Sequence, residues 1–461
     1  MKVNVDNERS ASETDTMTEN AFTTVFGGYL PHNSPELSIV GEGSLPSAFA
    51  VTDLAVASIA AAGREVAALI GSDHVAVDRV LASAWFQTSI RPTGWDLPPV
   101  WDAVAGDYET ADGWIRLHTN APHHRAAAIA VLGCAEDRAA VAAAVAGWSA
   151  EDLEFAVVEA GGCAAAMRDI ESWRHHPQGA AVAKEDLISR WLGEETVDWS
   201  WQPRPHRPLA GMRVLDLTRI LAGPVGTRFL AGYGAHVLRI DPPGWDEPSI
   251  APDVTLGKRC ARLDLRSPDD RQQFATLVAQ ADVLVHGYRS DALERLGFGT
   301  NELQRLSPGL VDVALDAYGW SGPWATRRGF DSLVQMSSGI AHAGMQRAGA
   351  TRPVPLPVQA LDHAAGYLVA AAAVRGLRTR LLHGRGSTLR LSLARVAAVL
   401  IDGPAGSFDD SLKDAHPFDS ASREETPFGP LQRLAPPLSI AGAPQHWTRS
   451  ATTLGSSPAS W

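Results

Sequence analysis

The spacing of apolar residues indicates a mixed first part of the chain. The run VTDLAVASIAAAGREVAALI at 51–70 repeats apolar residues at helical spacing, and HVAVDRVLASAWF after it predicts a strand leading into a helix. Residues 108–117 predict a hairpin around Asp112-Gly113, and helical patterns follow near 126–132, 136–145, 150–160 and 164–170. These elements predict a small α+β domain.

A different pattern begins after the stretch WSWQPRPHRP at 199–208, whose prolines oppose both helix and sheet. Short apolar runs at 212–217, 236–240, 283–286 and 310–315 alternate there with helical segments. Such alternation predicts a parallel sheet covered by helices on both faces. We therefore expect an α/β fold, with a Rossmann-like doubly wound parallel sheet and a second, smaller α+β domain.

These patterns divide the chain into successive segments. The first residues are rich in Ser, Thr, Asn and Asp and lack periodicity, which is typical of disorder. The predicted segments are a disordered tail at 1–25, a helix segment plus small α+β domain at 26–200, a Pro-rich linker at 201–208, a Rossmann-like domain at 209–400 and a C-terminal segment at 401–461.

An internal repeat is indicated by the Ala-rich segment that begins at Leu361, because it resembles residues 51–86 in composition and order. Chance similarity between two Ala-rich helices is the alternative. The alignment brings Asp53 near Asp362 with a shift of two or three residues. From spacing alone each carboxylate is expected to cap its helix.

Charge and cysteine content narrow the class of protein. A net charge of -12 without a dense Lys/Arg run argues against nucleic acid as a partner. Cys134, Cys163 and Cys260 show no paired spacing, so neither a disulfide framework nor a metal site is expected, and a reducing compartment fits. The first residues lack the apolar core of a signal peptide, and charges interrupt the Ala-rich stretches. We expect a cytoplasmic protein that does not bind membranes.

A ligand is expected at the edge of the sheet where the parallel strands end. Asp241 ends the second strand, where a dinucleotide-binding fold carries an acid for a ribose hydroxyl. Gly223 and Gly226 nevertheless give GxxG and not GxGxxG, which argues against a nicotinamide cofactor. Lys258 and Arg259 have the chemistry to pair with phosphates, although solvation at the surface is the alternative for each.

Several motifs after residue 210 resemble the family III CoA-transferases, the group that includes formyl-CoA and carnitine CoA-transferases and the related α-methylacyl-CoA racemases. They occur in the family's order and are GMRVLDLTRILAGPVGTRFLAGYGAHVLRIDPPG, GKRCARLDLRSPDDR, ADVLVHGYRSDALERLGFG, YGWSGPWATRRGFDSLVQMSSG and LDHAAGYLVAAAAV. Together they are specific to that family.

The resemblance implies an enzyme that moves coenzyme A between an acyl-CoA thioester and a carboxylic acid. It places Asp362 at the position of the family's nucleophile, which would react through an aspartyl mixed anhydride. It also implies that acyl-CoA, a substrate and not a permanently bound cofactor, lies near a set of residues on the family motifs. These residues are Arg239, Lys258, Arg259, Tyr288 and Arg295. No metal is implied, and a homodimer is one of the assemblies left open.

The chain departs from the family pattern in ways that leave alternatives open. Phe330 stands where the racemases carry a histidine before the Asp of the GxD block, so an acyl-CoA racemase or epimerase is the second reading. Leu221 replaces a glutamine of formyl-CoA transferase, which argues against formyl-CoA. The small-domain motifs precede the Rossmann-like part, and 401–461 resembles the family's return segment. The chain therefore resembles two incomplete copies fused, and a non-catalytic CoA-binding protein is the third reading.

Overall fold

The computed structural model describes residues 20–27, 34–412 and 421–461. The first elements are α1 (Ala21–Gly27), β1 (Glu36–Val40), α2 (Val51–Ile70), β2 (His74–Asp78), α3 (Arg79–Gln87) and β3 (Ile90–Pro92). The next are β4 (Gly106–Glu109), β5 (Trp114–Leu117), α4 (Pro122–Leu132), α5 (Arg138–Val145), α6 (Ala150–Glu159), β6 (Ala164–Ala166), α7 (Ile170–His175) and α8 (Pro177–Val182).

The remaining elements build the larger sheet and the end of the chain. They are β7 (Ser189–Thr196), β8 (Arg213–Leu217), α9 (Ala222–Gly232), β9 (His236–Asp241), α10 (Ala251–Val254), β10 (Lys258–Arg262), α11 (Pro268–Val278), β11 (Val283–His286), α12 (Ala292–Arg295), α13 (Thr300–Leu306), β12 (Val311–Asp316), α14 (Asp331–Ser337), α15 (Ile340–Arg347), α16 (Ala360–His383), β13 (Arg385–Ser392) and α17 (Leu393–Asp402). The last strands are β14 (Ser422–Thr426), β15 (Gly429–Arg433) and β16 (Leu438–Ile440).

A seven-stranded sheet forms the centre of the molecule, in the order β10-β9-β8-β11-β12-β13-β7. Every neighbouring pair is parallel except β13 and β7. The apolar runs predicted at 212–217, 236–240, 283–286 and 310–315 correspond to β8, β9, β11 and β12, which are neighbours in this sheet. The predicted α/β fold with a mostly parallel sheet is confirmed.

A smaller sheet contains β4, β5 and β6. The predicted hairpin around Asp112-Gly113 is present, because β4 pairs antiparallel with β5 on either side of that turn. The helix predicted at 164–170 is wrong, since Ala164–Ala166 form β6 beside β5. These alanines are fully buried, and pairing in the sheet outweighs their helix propensity.

The edges of the predicted segments differ from the structure in specific ways. Residues 1–19 of the predicted tail lie outside the described residues, but Ala21–Gly27 form α1 against α2. Phe22 and Phe26, four residues apart, are 1% and 3% exposed and hold this helix to the core. Disorder over 20–25 is therefore wrong, because a helix of two turns gives too little periodicity to stand out from its polar surroundings.

Three other strands pair with partners that are distant in the sequence. Ser189–Thr196, assigned from sequence to the small domain, is the antiparallel edge strand β7 of the large sheet. The C-terminal strands return to the start of the chain, where β15 pairs with β3 and β16 pairs with β2. Pairings over such sequence distances leave no local signal.

Two helix–strand–helix units, α2-β2-α3 and α16-β13-α17, follow the same order, and α2 lies against α16. Their helices begin with matching backbone angles, φ -75° and ψ 64° at Ala50, and φ -73° and ψ 65° at Gln359. Asp53 and Asp362 are consequently both the third residue of their helices. The predicted shift of two or three residues between them is wrong.

The described helices include none that is both long and apolar enough to cross a membrane.

Candidate active site

Asp362 lies in the first turn of α16 and is 8% exposed. The backbone N–H groups of Leu361 and Asp362 donate to one carboxylate oxygen of Asp331, Oδ2, at 2.9 and 3.0 Å. Asp331 is the first residue of α14, so a carboxylate from another helix caps α16. The expectation that Asp362 caps its own helix is therefore wrong, and its carboxylate is free for another task.

The Asp362 carboxylate makes no hydrogen bond or ion pair within the described parts of the chain. Burial and the nearby charge of Asp331 both raise the pKa of Asp362 well above its usual value. Burial also raises the pKa of Asp331 to about 6, against the hydrogen bonds that Asp331 accepts. The two carboxyl groups are coupled, and the pair retains a proton to higher pH than an exposed aspartate would.

Asp331 is held in place by Gln335, one turn further along α14. The Gln335 amide donates to Asp331 Oδ1, and its carbonyl oxygen accepts the Leu356 N–H at 2.7 Å. These bonds connect α14, the segment before α16 and the first turn of α16. Sequence reasoning assigned Asp331 no role in capping, because the two N–H groups that it caps are 30 and 31 residues further along the chain.

Helix α9 approaches α16 closely at two glycines. A β-carbon on Gly226 would lie 2.6 Å from the Gly366 carbonyl oxygen, and one on Gly366 would lie 2.4 Å from the Ala222 carbonyl oxygen. Gly366 is four residues, or about 6 Å along the helix axis, from Asp362. The start of α9 therefore lies beside the first turns of α16, where the N-terminal N–H groups of α9 favour negative charge.

The turn between β8 and α9 is strained at Ile220. Its φ of 64° lies in the left-handed region, which a β-branched residue rarely adopts. The Ile220 N–H donates to Glu247 Oε1 at 2.7 Å, and this bond holds the conformation. Strain of this kind is typical of turns that carry function.

The first half of the chain covers the site from α3. The ring of Phe86 stacks on His363 with centroids 4.9 Å apart, and it also faces Tyr367. Asp53, the counterpart of Asp362, forms an ion pair with Arg79 at 2.6 Å. Within the described residues no carboxylate accepts a hydrogen bond from the first N–H groups of α2, so Asp53 lacks a counterpart of the Asp331 cap.

The residues predicted to contact CoA do not converge in one place. Arg239 is fully buried and donates from Nε and Nη2 to the two carboxylate oxygens of Asp241, while its Nη2 also donates to Glu247 at 2.7 Å. Asp241, considered from sequence as a ribose ligand, is thereby engaged inside the protein. Arg239 has a structural role here.

Lys258 is also inside the protein, 1% exposed. Its ammonium lies 3.0 Å from Asp216 and donates to the Pro224 carbonyl oxygen at 2.9 Å. Burial opposes ionisation of Asp216, but Lys258 and Arg239 outweigh it and hold the pKa of Asp216 below its usual value. Lys258 thus neutralises a buried acid and does not face the solvent.

Arg259, Tyr288 and Arg295 lie at separate positions on the surface. Arg259 lines a cavity at the amino ends of the strands. Arg295 is 72% exposed and pairs with Asp291. Of the predicted set, Tyr288 lies just beyond the carboxyl end of β11, on the side where a doubly wound sheet binds ligands.

Arg219 is the basic residue at the carboxyl ends that the sequence reasoning missed. Its guanidinium lies 5.0 Å from the Trp245 ring centroid and 5.4 Å from that of Tyr288, and it donates to the Tyr288 hydroxyl at 3.2 Å. The positive charges of Arg328 and Arg219 also help to lower the pKa of His123, after burial. The position of Arg219, two residues after the end of β8, was the available signal.

The ring of Phe330, the residue before Asp331, is stacked against a histidine ring. His118 stacks on it with centroids 3.7 Å apart and an interplanar angle of 8°. Burial is the main cause that lowers the pKa of His118 to about 3, so its imidazole is a weak base. His118 therefore lies beside Phe330, the position at which the racemases carry a histidine. Its lowered pKa nevertheless makes it a poor acceptor of a proton.

Comparisons with known proteins give the family. The profile of CoA-transferase family III matches residues 209–457, more than half of the chain. The acetyl-coenzyme A transferase nodX of Hypoxylon pulicicidum is 35% identical over 194 residues, covering 41% of this chain and 33% of that protein. The probable fatty acyl-CoA transferase Rv3272 of Mycobacterium tuberculosis is 31% identical over 210 residues, covering 42% and 53%.

The chain is also similar to a solved structure, and it spans only part of the length of its relatives. The crystal structure of Rv3272 from M. tuberculosis matches with a TM-score of 0.39 and 31% identity, covering 42% of this chain and 57% of that one. The chain spans about half the length of the curated relatives it matches. On the family match, the chain belongs to CoA-transferase family III.

Proposed function

We propose that the protein transfers coenzyme A from an acyl-CoA thioester to a carboxylic acid, with Asp362 as the nucleophile. The observation that carries this proposal is the environment of Asp362: a buried carboxylate whose helix is capped by another residue and whose own oxygens are unengaged within the described chain. A carboxylate whose pKa is raised is also a better nucleophile once ionised.

The proposed reaction proceeds in balanced steps. The Asp362 carboxylate attacks the thioester carbonyl, and the C–S bond breaks to give a mixed anhydride and CoA thiolate. The thiolate attacks the Asp362 carbonyl, which releases the donor acid and leaves an aspartyl-CoA thioester. The acceptor carboxylate then attacks the Asp362 carbonyl, and the C–S bond of the aspartyl thioester breaks to give a second anhydride and CoA thiolate. This thiolate attacks the acceptor's acyl carbonyl in the anhydride. The new acyl-CoA leaves, and the Asp362 carboxylate is regenerated.

Water must be kept from these intermediates because it would hydrolyse either one. Phe86 and His363 cover the first turn of α16, and the close approach of α9 at Gly226 leaves no room between the helices. Coenzyme A would approach from the carboxyl ends of β8 and β11, where Arg219 offers charge to a phosphate and Tyr288 a ring to the base. Arg295 is exposed on α12, and from there its side chain could contact a phosphate of CoA only at the surface of the protein.

Transfer of CoA is favoured over racemisation because the groups beside Asp362 are poor general bases. Racemisation needs a group that removes a proton beside the thioester carbonyl. His118, whose ring lies on Phe330, has a pKa lowered to about 3 and would accept that proton poorly. The Asp331 carboxylate is occupied in capping α16.

Incubation with a panel of acyl-CoA donors and free carboxylic acids tests the proposed function. We expect chromatography to show new acyl-CoA species formed from the free acids, with little net loss of thioester. Hydrolysis alone, or exchange of the α-hydrogen for deuterium without transfer, would contradict the proposal. The alternatives of a racemase or a CoA-binding protein would then account better for the site.

A pH profile tests the positioning role of Asp331. Because Asp362 must be ionised to attack, kcat/KM should rise with pH, with a limb above the usual aspartate pKa of about 3.8. Asp331→Asn removes the like charge that helps to raise this pKa, and the limb should move to lower pH by about one unit. A purely structural role would lower the rate at every pH without moving the limb. Asp53→Asn is the matched control and should leave the limb unchanged.

A further inference from the structure

A cavity of about 380 Å³ lies at the amino ends of the strands, opposite to the edge described above. Arg213 opens β8, and Arg259 is the second residue of β10. Arg207 and Arg449 complete a set of arginines around the cavity, and His236 lines it as well. No Asp or Glu is among the described residues that line it.

Among the described residues, no carboxylate is a hydrogen-bond partner of these arginine side chains. Arg213 donates to the Gln280 side chain at 3.3 Å, and Arg259 donates to the Pro458 carbonyl oxygen at 3.3 Å. Arg207 donates to the backbone oxygens of Gly232 and His446. Within the described ranges none of these arginines forms an ion pair, in contrast to Arg239. Burial lowers the pKa of Arg207, as expected for a cation without a nearby carboxylate.

Several arginines around one cavity, with no Asp or Glu among the described residues that line it, are unexpected in a chain of net charge -12. Their mutual repulsion is relieved when an anion binds between them. Guanidinium groups match the oxygens of phosphate in pairs, and a cavity of this size lies within the range of small-molecule sites. We propose that this cavity binds a small anion carrying two or more phosphate groups, at a site separate from that of the acyl-CoA substrate.

The length of the strands keeps the two sites apart. β9 runs from His236 at the cavity to Asp241 at the opposite edge. At about 3.3 Å per residue, the two edges of the sheet are roughly 17 Å apart. Arg219 and Tyr288 lie at the far edge, so one ligand cannot displace the other by direct contact unless it spans the sheet.

Isothermal titration calorimetry with inorganic pyrophosphate tests this site on the whole protein. We expect binding of one pyrophosphate per chain, at least about tenfold weaker in a variant combining Arg213→Gln and Arg449→Gln. Arg266→Gln is the matched control, because Arg266 is 83% exposed, pairs with Asp264 and does not line the cavity. Its affinity for pyrophosphate should equal that of the unaltered protein. No binding of pyrophosphate, or equal binding by the double variant, would overturn the proposal.

Competition with ADP shows whether the occupant is a nucleotide or a free phosphate compound. Competition with coenzyme A shows whether the cavity is separate from the CoA site. Displacement of pyrophosphate by ADP would indicate a nucleotide as the occupant, and failure of ADP to compete would indicate a free phosphate compound. Coenzyme A should bind without displacing pyrophosphate. Displacement by coenzyme A in proportion to its occupancy would make this cavity part of the CoA site and overturn the proposal of a separate one. Transfer activity of the double variant is a separate readout, so loss of this site leaves the role of Asp362 testable.

Discussion

Asp362→Asn should abolish CoA exchange while the protein stays folded and somewhat more stable. An amide is not a nucleophile at the thioester carbonyl, so we expect turnover to fall by roughly 10³-fold or more. Because burial and Asp331 raise the pKa of Asp362 above its unfolded value, the folded state holds the proton more tightly. The ionised carboxylate therefore lowers stability as pH rises from its unfolded pKa to its folded pKa, and this loss persists at pH 7. The neutral amide escapes it, so the melting temperature at pH 7 should rise.

Asp53 provides the matched control for this substitution. Asp53 is the third residue of α2, as Asp362 is of α16, but it pairs with Arg79 and lacks a carboxylate like Asp331. Asp53→Asn should change turnover by no more than about twofold. It should not raise the melting temperature, because the substitution removes the ion pair with Arg79. Full turnover in Asp362→Asn, or equal losses in both variants, would remove the assignment of Asp362 as nucleophile.

Lys258→Met should destabilise the protein without acting on CoA directly. The substitution leaves Asp216 fully buried without its ammonium partner, while the hydroxyl groups of Thr218 and Thr227 and the Thr218 N–H still donate to it. Breaking a buried pair in this way costs about 3–5 kcal/mol in the free energy of unfolding. Denaturation by urea measures this loss.

The next residue on β10 supplies the comparison. Arg259 forms no ion pair in the described chain and is partly exposed, so Arg259→Met should change the free energy of unfolding by about 1 kcal/mol or less. A Lys258→Met variant of full stability with weakened CoA binding would instead support the sequence-based assignment of Lys258 as a phosphate ligand.

Much of the large sheet was predictable because its strands are short apolar runs buried on both faces. Val283–His286 is buried at every position, and such a run is typical of a parallel strand that is covered on both faces. The edge strand β7 was not predictable in this way. Trp191 and Leu192 are exposed on it, and its pairing with β13 depends on a partner almost two hundred residues away.

The site was predictable where one motif carries it and not where distant residues meet. Asp362 follows from the family motif at the start of α16, but its cap comes from Asp331 through two backbone bonds across helices. Arg239 and Lys258 were assigned to phosphate, although both fall within strands of a sheet covered on two faces. A charge at such a position must find an internal partner, and the sequence alone does not name that partner.

Trapping the covalent intermediate tests the central claim most directly. The protein should be incubated with an acyl-CoA, treated with hydroxylamine and digested for mass spectrometry. Hydroxylamine attacks the activated Asp362 carbonyl and displaces the CoA thiolate or the donor acid, so the account predicts a hydroxamate at Asp362 that requires acyl-CoA and is absent from Asp362→Asn. A hydroxamate on another residue, or steady exchange with Asp362 unmodified, would contradict it.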